Sequence, residues 1–375
     1  MLIHYVSGSR ADFGLMERCL LRLHSNERFT LKVVVTGQHL SSEYGMTVND
    51  IRTSGLAIAL EVPVKLGGAS GHEMGLALAQ QMRGFLDAWY TERPEFVLLL
   101  GDRGEMLAAA LAAVHLGIHV GHIHGGECTG TLDESFRHAI TKLSHLHFAA
   151  TEDAARRIIR MGEDPSNVFV IGAPGLVGVA GRQQPAAALV RKSLGLSLDE
   201  PLALCVFHPV VQEAESAAKQ MQDVIEATRR AGYALVVLRP NSDAGGQLIN
   251  EYLNTLSVSP ELRVFTHLAR ENYLDLLGVV DLLIGNSSSG IIKSASFGIP
   301  CVNVGSRQDS RLRNRNTFDC SEVTASSLDC CIRRAKNWIP DAVNLYGDGT
   351  ADKQLVELLE TVELSPKLLA KRMSY

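Results

Sequence analysis

Residues 121–148 read GHIHGGECTGTLDESFRHAITKLSHLHF and bring His122, His124, Glu127, Asp133 and Arg137 close together in the chain. Histidine and carboxylate side chains move protons near neutral pH, and arginine offsets developing negative charge. Gly125 and Gly126, between them, let the main chain come close to a ligand. Part of the stretch is also ordinary helix grammar. Thr131 and Glu134 have the spacing of a capping box, and Asp133 and Arg137 that of an i,i+4 ion pair. That grammar leaves His122, His124 and Glu127 unexplained, and they form the candidate active site. Zinc is the competing idea, since His115, His119, His122 and His124 are close in sequence. In a strand, however, 119 and 122 point to opposite faces, and no nearby cysteine or acid completes a ligand pattern, so no metal is expected. His138, His145 and His147 read as packing or surface residues.

Other strand ends carry similar chemistry. In SGSRADFG (7–14) Gly8 permits a tight turn and Arg10 offers a forked donor to phosphate; the plainer reading has Asp12 capping a helix and pairing with Arg10. In LLLGDRGEM (98–106) a buried strand ends in Asp102 beside Arg103, a carboxylate suited to act as base or orienter with a lowered pKa, or simply as a helix cap. The second half contributes His208 in FHPV, Asn241 in RPNSDAGG, and GNSSSGIIKS (285–294). In the last, Ser287, Ser288, Ser289 and Gly290 could converge on a phosphate, and three serines exceed what one cap needs. No G-x-G-x-x-G is present, which argues against a nicotinamide enzyme.

The elements that must position these residues alternate between short apolar runs and helix-length amphipathic segments, the pattern of parallel α/β sheets. Strands are expected at 2–6, 31–37, 96–101, 117–123, 146–150 and 168–172, and again at 202–207, 233–240, 262–266, 281–286 and 300–305. The break near residue 176 divides the 375 residues into two Rossmann-like domains, 1–175 and 176–375, the second including the terminal helices. Strand-end loops of the two domains are expected to face each other across a cleft. Apolar residues make up 46% of the chain, yet no run approaches the roughly 20 residues of a membrane span, so no membrane helix is expected. The N-terminal run reads as a first strand rather than an export signal, and seven cysteines without a C-x-x-C pair fit a reducing cytoplasm. A net charge of −5 gives no general attraction to nucleic acid, so an anionic ligand must be held locally.

Taken together, GSRADFG, LGDRGE, HIHGGECTGTLDESFRHAITKLSHLHF, FHPV, RPNSDAGG, ARENYLDLL, GNSSSGII and VNVGSRQ resemble the hydrolysing UDP-N-acetylglucosamine 2-epimerases. The sister group acting on UDP-2,4-diacetamido-2,4,6-trideoxyglucose is equally near. The resemblance runs in order from residue 7 to 308 and implies a GT-B-like pair of domains. It implies that Arg10, Ser287, Ser288 and Arg307 hold a diphosphate, that residues 267–270, including His267, lie at the uracil, and that Asn241 lies near the nucleotide sugar. Asp102, Asp133, Arg137 and His208 match positions tied to the chemistry: elimination of UDP to a glycal, then hydration. Asp133 or Asp102 would then move the C2 proton, with His208 and Arg137 at the leaving group or sugar. The implied partners are a UDP-sugar substrate and UDP product, with no cofactor, in a homodimer or homotetramer. Of the two substrates, UDP-N-acetylglucosamine is the one expected. A retaining glycosyltransferase and a non-catalytic nucleotide-sugar sensor are the competing classes. Two positions depart from the family. His124 stands where animal-type members carry an acid–base glutamate, so His124 or Glu127 must cover that role. Lys293 stands where a glutamate usually accepts from the ribose hydroxyls, which a lysine cannot do.

Overall fold

The computed structural model describes residues 1–65, 71–129, 132–179, 182–196, 200–240, 245–266, 268–340 and 343–374. They form two compact units, Met1–Gly178 with Tyr346–Tyr375, and Val179–Leu345. In the first unit β1 (Leu2–Ser7), β2 (Thr30–Thr36), β3 (Ala57–Val62), β4 (Phe96–Leu100), β5 (His119–Ile123), β6 (Leu146–Ala149) and β7 (Val168–Val170) make one parallel sheet in the order 3-2-1-4-5-6-7. Successive residues feed opposite faces. Ile3, Tyr5 and Leu98 pack against Phe13, Met16 and Leu20 of the helix Arg10–His24, while Val6, Val97 and Leu99 pack against Phe85, Trp89 and Ala109. Because helices cover both faces, β4 (FVLLL) is an unbroken apolar run and β2 carries three consecutive valines, which is why they stand out in the sequence.

The second unit repeats the plan with β8 (Leu202–Val206), β9 (Ala234–Leu238), β10 (Leu262–Phe265), β11 (Leu282–Gly285), β12 (Cys301–Val304) and β13 (Thr317–Cys320), parallel throughout in the order 10-9-8-11-12-13. Cys205 and Phe207 enter one core with Met221 and Ile249, and Leu204 and Val206 the other with Leu274 and Leu277. Two strands, β3 and β13, were not anticipated. Each ends its sheet and is only partly buried, so neither is a continuous apolar run.

The tail departs from expectation, since residues 346–375 belong to the first unit. The apolar stripe of the helix Ala351–Thr361 puts Leu355 and Leu359 into the core beside Leu20, and Asp352 pairs with Arg22. The stripe must be buried somewhere, but its periodicity does not say against which unit. Further on, the Lys371 ammonium donates to the carbonyls of Thr141 (3.0 Å), Lys142 (2.8 Å) and Ser144 (2.5 Å), and stands 2.6 Å from Glu163 Oε2.

Glu163 is buried and also accepts from Lys142 (2.6 Å) and meets His147 Nε2 at 3.0 Å. Burial opposes its ionisation, but the bonds from His147, Lys142 and Lys371 outweigh it and bring its pKa from 4.5 down to about 2. A folded-state pKa below the unfolded one stabilises above about 4.5, and that stability is lost as pH falls towards about 2. Glu163→Gln should therefore be less stable at neutral pH, by about 3 kcal/mol. It should also lose less on acidification across that window, as denaturant titrations at a series of pH values will measure.

Candidate active site

The loop after β1 is built on Asp12. Its carboxylate accepts from Ser7 Oγ, from the amides of Gly8 (3.1 Å) and Ser9 (2.9 Å) and from Ser9 Oγ (3.1 Å), closing a capping box at the start of the helix. Burial raises the Asp12 pKa to about 6 against the pull of these donors. Ser7 gives its proton to Asp12, so His39 Nε2, 2.9 Å from Ser7 Oγ, must be the donor in that contact. His39 Nδ1 then accepts from Thr47 Oγ1 at 2.8 Å. Arg10, exposed beyond this frame, pairs with Asp50 at 3.3 Å rather than with Asp12. The capping reading of Asp12 therefore holds, whereas His39 and Ser7 gave no sequence signal.

Asp102, at the end of β4, is bonded by Arg137 NH2 and stays partly exposed, while Arg137 is buried and donates from NH1 to the Glu127 carbonyl at 2.9 Å. The guanidinium holding Asp102 is thus supplied by the helix Leu132–Leu143, and Arg103 turns to Glu105 at 2.7 Å. Asp133 lies exposed in the first turn of that helix, and Glu134 accepts from the Thr129 amide at 2.7 Å. Thr131, expected to share a capping box with Glu134, is outside the described residues.

His124 and Glu127 turn out to be one unit, with Nδ1 and Oε1 2.8 Å apart and both side chains largely buried. His124 has φ +62°, unusual for a residue with a side chain, and Gly126 follows at φ +76°. A Cβ on Gly126 would lie 2.3 Å from the Ala154 carbonyl oxygen, so only glycine fits. Neutral His124 with its proton on Nδ1 towards Glu127 leaves Nε2 as a proton acceptor, which is the arrangement of an oriented acid–base histidine. His122 points inward, fully buried, with Nε2 on the Gly101 carbonyl (2.7 Å) and Nδ1 on Thr141 Oγ1 (3.1 Å). His119 contacts the Ser365 carbonyl at 3.1 Å and the His145 ring. Among the described residues no three His, Cys, Asp or Glu side chains are placed to hold a metal ion.

In the second unit the organiser is Asn286, just after β11. Its Oδ1 accepts from the His208 amide and its Nδ2 donates to the His208 carbonyl, both at 2.7 Å, which clamps the ends of β8 and β11 together. Gln308 (3.0 Å) and Arg307 (3.2 Å) donate to the Asn286 carbonyl. Burial first, and then the Arg307 charge, hold the His208 pKa down near 3, so its imidazole is neutral. Ser287 caps the short helix Ser288–Lys293, and all three serines are partly exposed. Gly290 is buried against the sheet instead: its Cβ would sit 2.7 Å from Leu283 Cδ2 and 2.9 Å from Cys301 Sγ, so close helix–sheet packing requires the glycine. Ser289 Oγ lies 2.7 Å from the Tyr273 hydroxyl, and the Lys293 ammonium lies over the Tyr273 ring, 5.5 Å from its centre. Burial and then Arg270 lower the Lys293 pKa to about 8. Asn241 and His267 fall outside the described residues. Asn286 and Gln308 were missed, although Asn286 directly precedes the serines that were noticed.

Two parallel-sheet units with polar residues gathered at their strand ends define a GT-B-like α/β enzyme. A family model described as UDP-N-acetylglucosamine 2-epimerase matches residues 21–360, and the chain belongs to that family. A hydrolysing UDP-N,N'-diacetylbacillosamine 2-epimerase of Legionella pneumophila is 44% identical over 374 residues, covering 100% of this chain and 99% of the relative. A UDP-N-acetylglucosamine 2-epimerase of Neisseria meningitidis serogroup B is 31% identical, covering 86% of this chain and 85% of the relative. The crystal structure of UDP-GlcNAc 2-epimerase from Neisseria meningitidis bound to UDP-GlcNAc matches with a TM-score of 0.78 over 96% of this chain and 100% of that one, at 17% identity, a likeness of fold. No described helix is long and apolar enough to cross a membrane.

Two substitutions probe these frames. Gly126→Ala should destabilise the protein by about 2 kcal/mol or more, through both the left-handed φ and the collision with Ala154. Asn286→Ala should cost about 1–3 kcal/mol by removing the two hydrogen bonds through which it holds the His208 amide and carbonyl. Thermal and denaturant unfolding will read both.

Proposed function

We propose that this enzyme is a hydrolysing UDP-sugar 2-epimerase acting on UDP-N,N'-diacetylbacillosamine, the nucleotide of 2,4-diacetamido-2,4,6-trideoxyglucose. The observation carrying this reading is the 44% identity, end to end, with the Legionella enzyme of that name, against 31% with the Neisseria N-acetylglucosamine enzyme. It moves the expectation away from UDP-N-acetylglucosamine, which becomes the second reading.

In the proposed reaction the C1–O bond to UDP breaks and a carboxylate takes the C2 proton, leaving a glycal. Water then adds its oxygen at C1, and C2 receives a proton on the opposite face, giving the manno-configured sugar and UDP. Asp102 suits the first proton transfer: Arg137 bonds and aims it, while part of it remains open. Asp133 is the alternative carboxylate. The His124–Glu127 pair suits the second transfer, with Glu127 fixing the ring. On the second unit Ser287, Ser288, Ser289 and Arg307 would receive the diphosphate; His208, being neutral, serves as a hydrogen-bonding group rather than a charge. Lys293 would meet the ribose as a donor in place of the usual acceptor. The reading includes a cytoplasmic homo-oligomer that uses no cofactor or metal and binds no nucleic acid.

Proton NMR in D₂O tests it with each UDP-sugar separately. Release of UDP together with a C2-deuterated manno-sugar is expected from the diacetamido substrate, at higher kcat/KM than from UDP-N-acetylglucosamine. The reverse preference would restore the second reading, and turnover of neither would overturn both. Asp102→Asn should lower kcat by about 10²–10⁴, the range of a lost general base.

A further inference from the structure

Arg137 and Thr141 sit one helical turn apart on the same face of the helix Leu132–Leu143, and each reaches the end of β4. Arg137 bonds the Asp102 carboxylate directly. Thr141 reaches it through His122: its hydroxyl lies 3.1 Å from Nδ1, and Nε2 lies 2.7 Å from the carbonyl of Gly101, the residue before Asp102. A carbonyl only accepts, so Nε2 carries the proton and Nδ1 accepts from Thr141. Both ring nitrogens are thereby committed, and the ring is fully buried, so His122 touches no substrate.

Gly101 needs such a hold. It has φ +80°, its amide donates to the Ile123 carbonyl at 2.9 Å, and its carbonyl turns back into His122. With amide and carbonyl both fixed, the direction in which the chain leaves towards Asp102 is fixed as well. The helix end of the frame is anchored separately, where Lys371 donates to the carbonyls of Thr141, Lys142 and Ser144 at the helix's C-terminal end, which favours a cation.

We propose that His122 is a positioning residue: with Thr141 on one side and the Gly101 carbonyl on the other, it sets where Asp102 presents its carboxylate. The inference rests on Asp102 taking part in proton transfer as proposed above. In that role a small misplacement of the base lowers turnover far more than substrate binding.

The test is a double-mutant cycle on the full-length enzyme with its preferred UDP-sugar. Thr141→Val, nearly isosteric, removes the hydroxyl that fixes the His122 tautomer. It is expected to lower kcat by about tenfold with KM changed less than about twofold, and Thr141→Ser should restore kcat. In an Asp102→Asn background Thr141→Val should lower kcat no further, because its effect passes through Asp102. His122→Gln keeps a donor for Gly101 and should fall between Thr141→Val and His122→Phe.

Unchanged kcat in both Thr141→Val and His122→Phe, with Asp102→Asn strongly impaired, would overturn the positioning role and leave the catalytic reading standing. Equal losses from Thr141→Val with and without Asp102→Asn would assign Thr141 to stability alone and overturn it too. If Asp102→Asn itself kept full turnover, the catalytic reading would fail first, and this inference with it.

Discussion

Each sheet changes its winding direction at its first strand, and the chemistry of the chain follows from that. With the order 3-2-1-4-5-6-7, β1 and β4 are neighbours whose connections leave in opposite directions, and β8 and β11 stand in the same relation in 10-9-8-11-12-13. Beyond the carboxyl ends of such a pair no crossover fills the space, and a crevice opens. The loops leaving these four strands hold Ser7–Asp12, Gly101–Glu105, Phe207–Pro209 and Asn286–Gly290. A parallel sheet is apolar on both faces, so polar side chains collect where its strands stop.

Within those loops most polar groups hold the backbone, and few are left over for a ligand. Asp12 takes four donors from its own loop, Asn286 clamps His208 from both sides, and His122 ties helix to strand. Each replaces secondary-structure hydrogen bonds at a point where the sheet has ended and buried amides and carbonyls still need partners. Of the groups that remain partly open, Asp102 is bonded by Arg137, His124 by Glu127 and Ser289 by Tyr273, and Arg307 donates to the Asn286 carbonyl. A rigid inner layer supporting a sparse outer one is what reaction geometry demands.

This division also explains what the sequence disclosed. Strands buried on both faces and the glycine and serine punctuation at their ends were legible, because burial and tight turns restrict residue type. The edge strands β3 and β13 were not, since half-buried strands tolerate mixed residues. In the site, Asp102, Arg137, His124 and Glu127 could be picked out one by one, but not their pairing. Spacing suggested Asp133 for Arg137 and Arg103 for Asp102, whereas Arg137 bonds Asp102. Local rules see i,i+4 neighbours; a contact spanning 35 positions exists only once β4 and the helix Leu132–Leu143 are assembled. The tail failed for the same reason, its stripe being legible and its docking surface not.

Charge sets the final constraint on the second unit. A chain of net charge −5 that takes a nucleotide diphosphate must concentrate its cations locally. His208 cannot be one of them, because burial and the neighbouring Arg307 keep its ring neutral until about pH 3. It is instead a neutral dipole in a fixed place, because Asn286 grips its backbone. The cations of this unit are its arginines, which stay protonated under all these conditions, and lysines such as Lys293, whose pKa near 8 leaves it charged at neutral pH. An ammonium over Tyr273, whose hydroxyl meets Ser289, makes this end of the second unit cationic and gives it a donor where a carboxylate would give an acceptor.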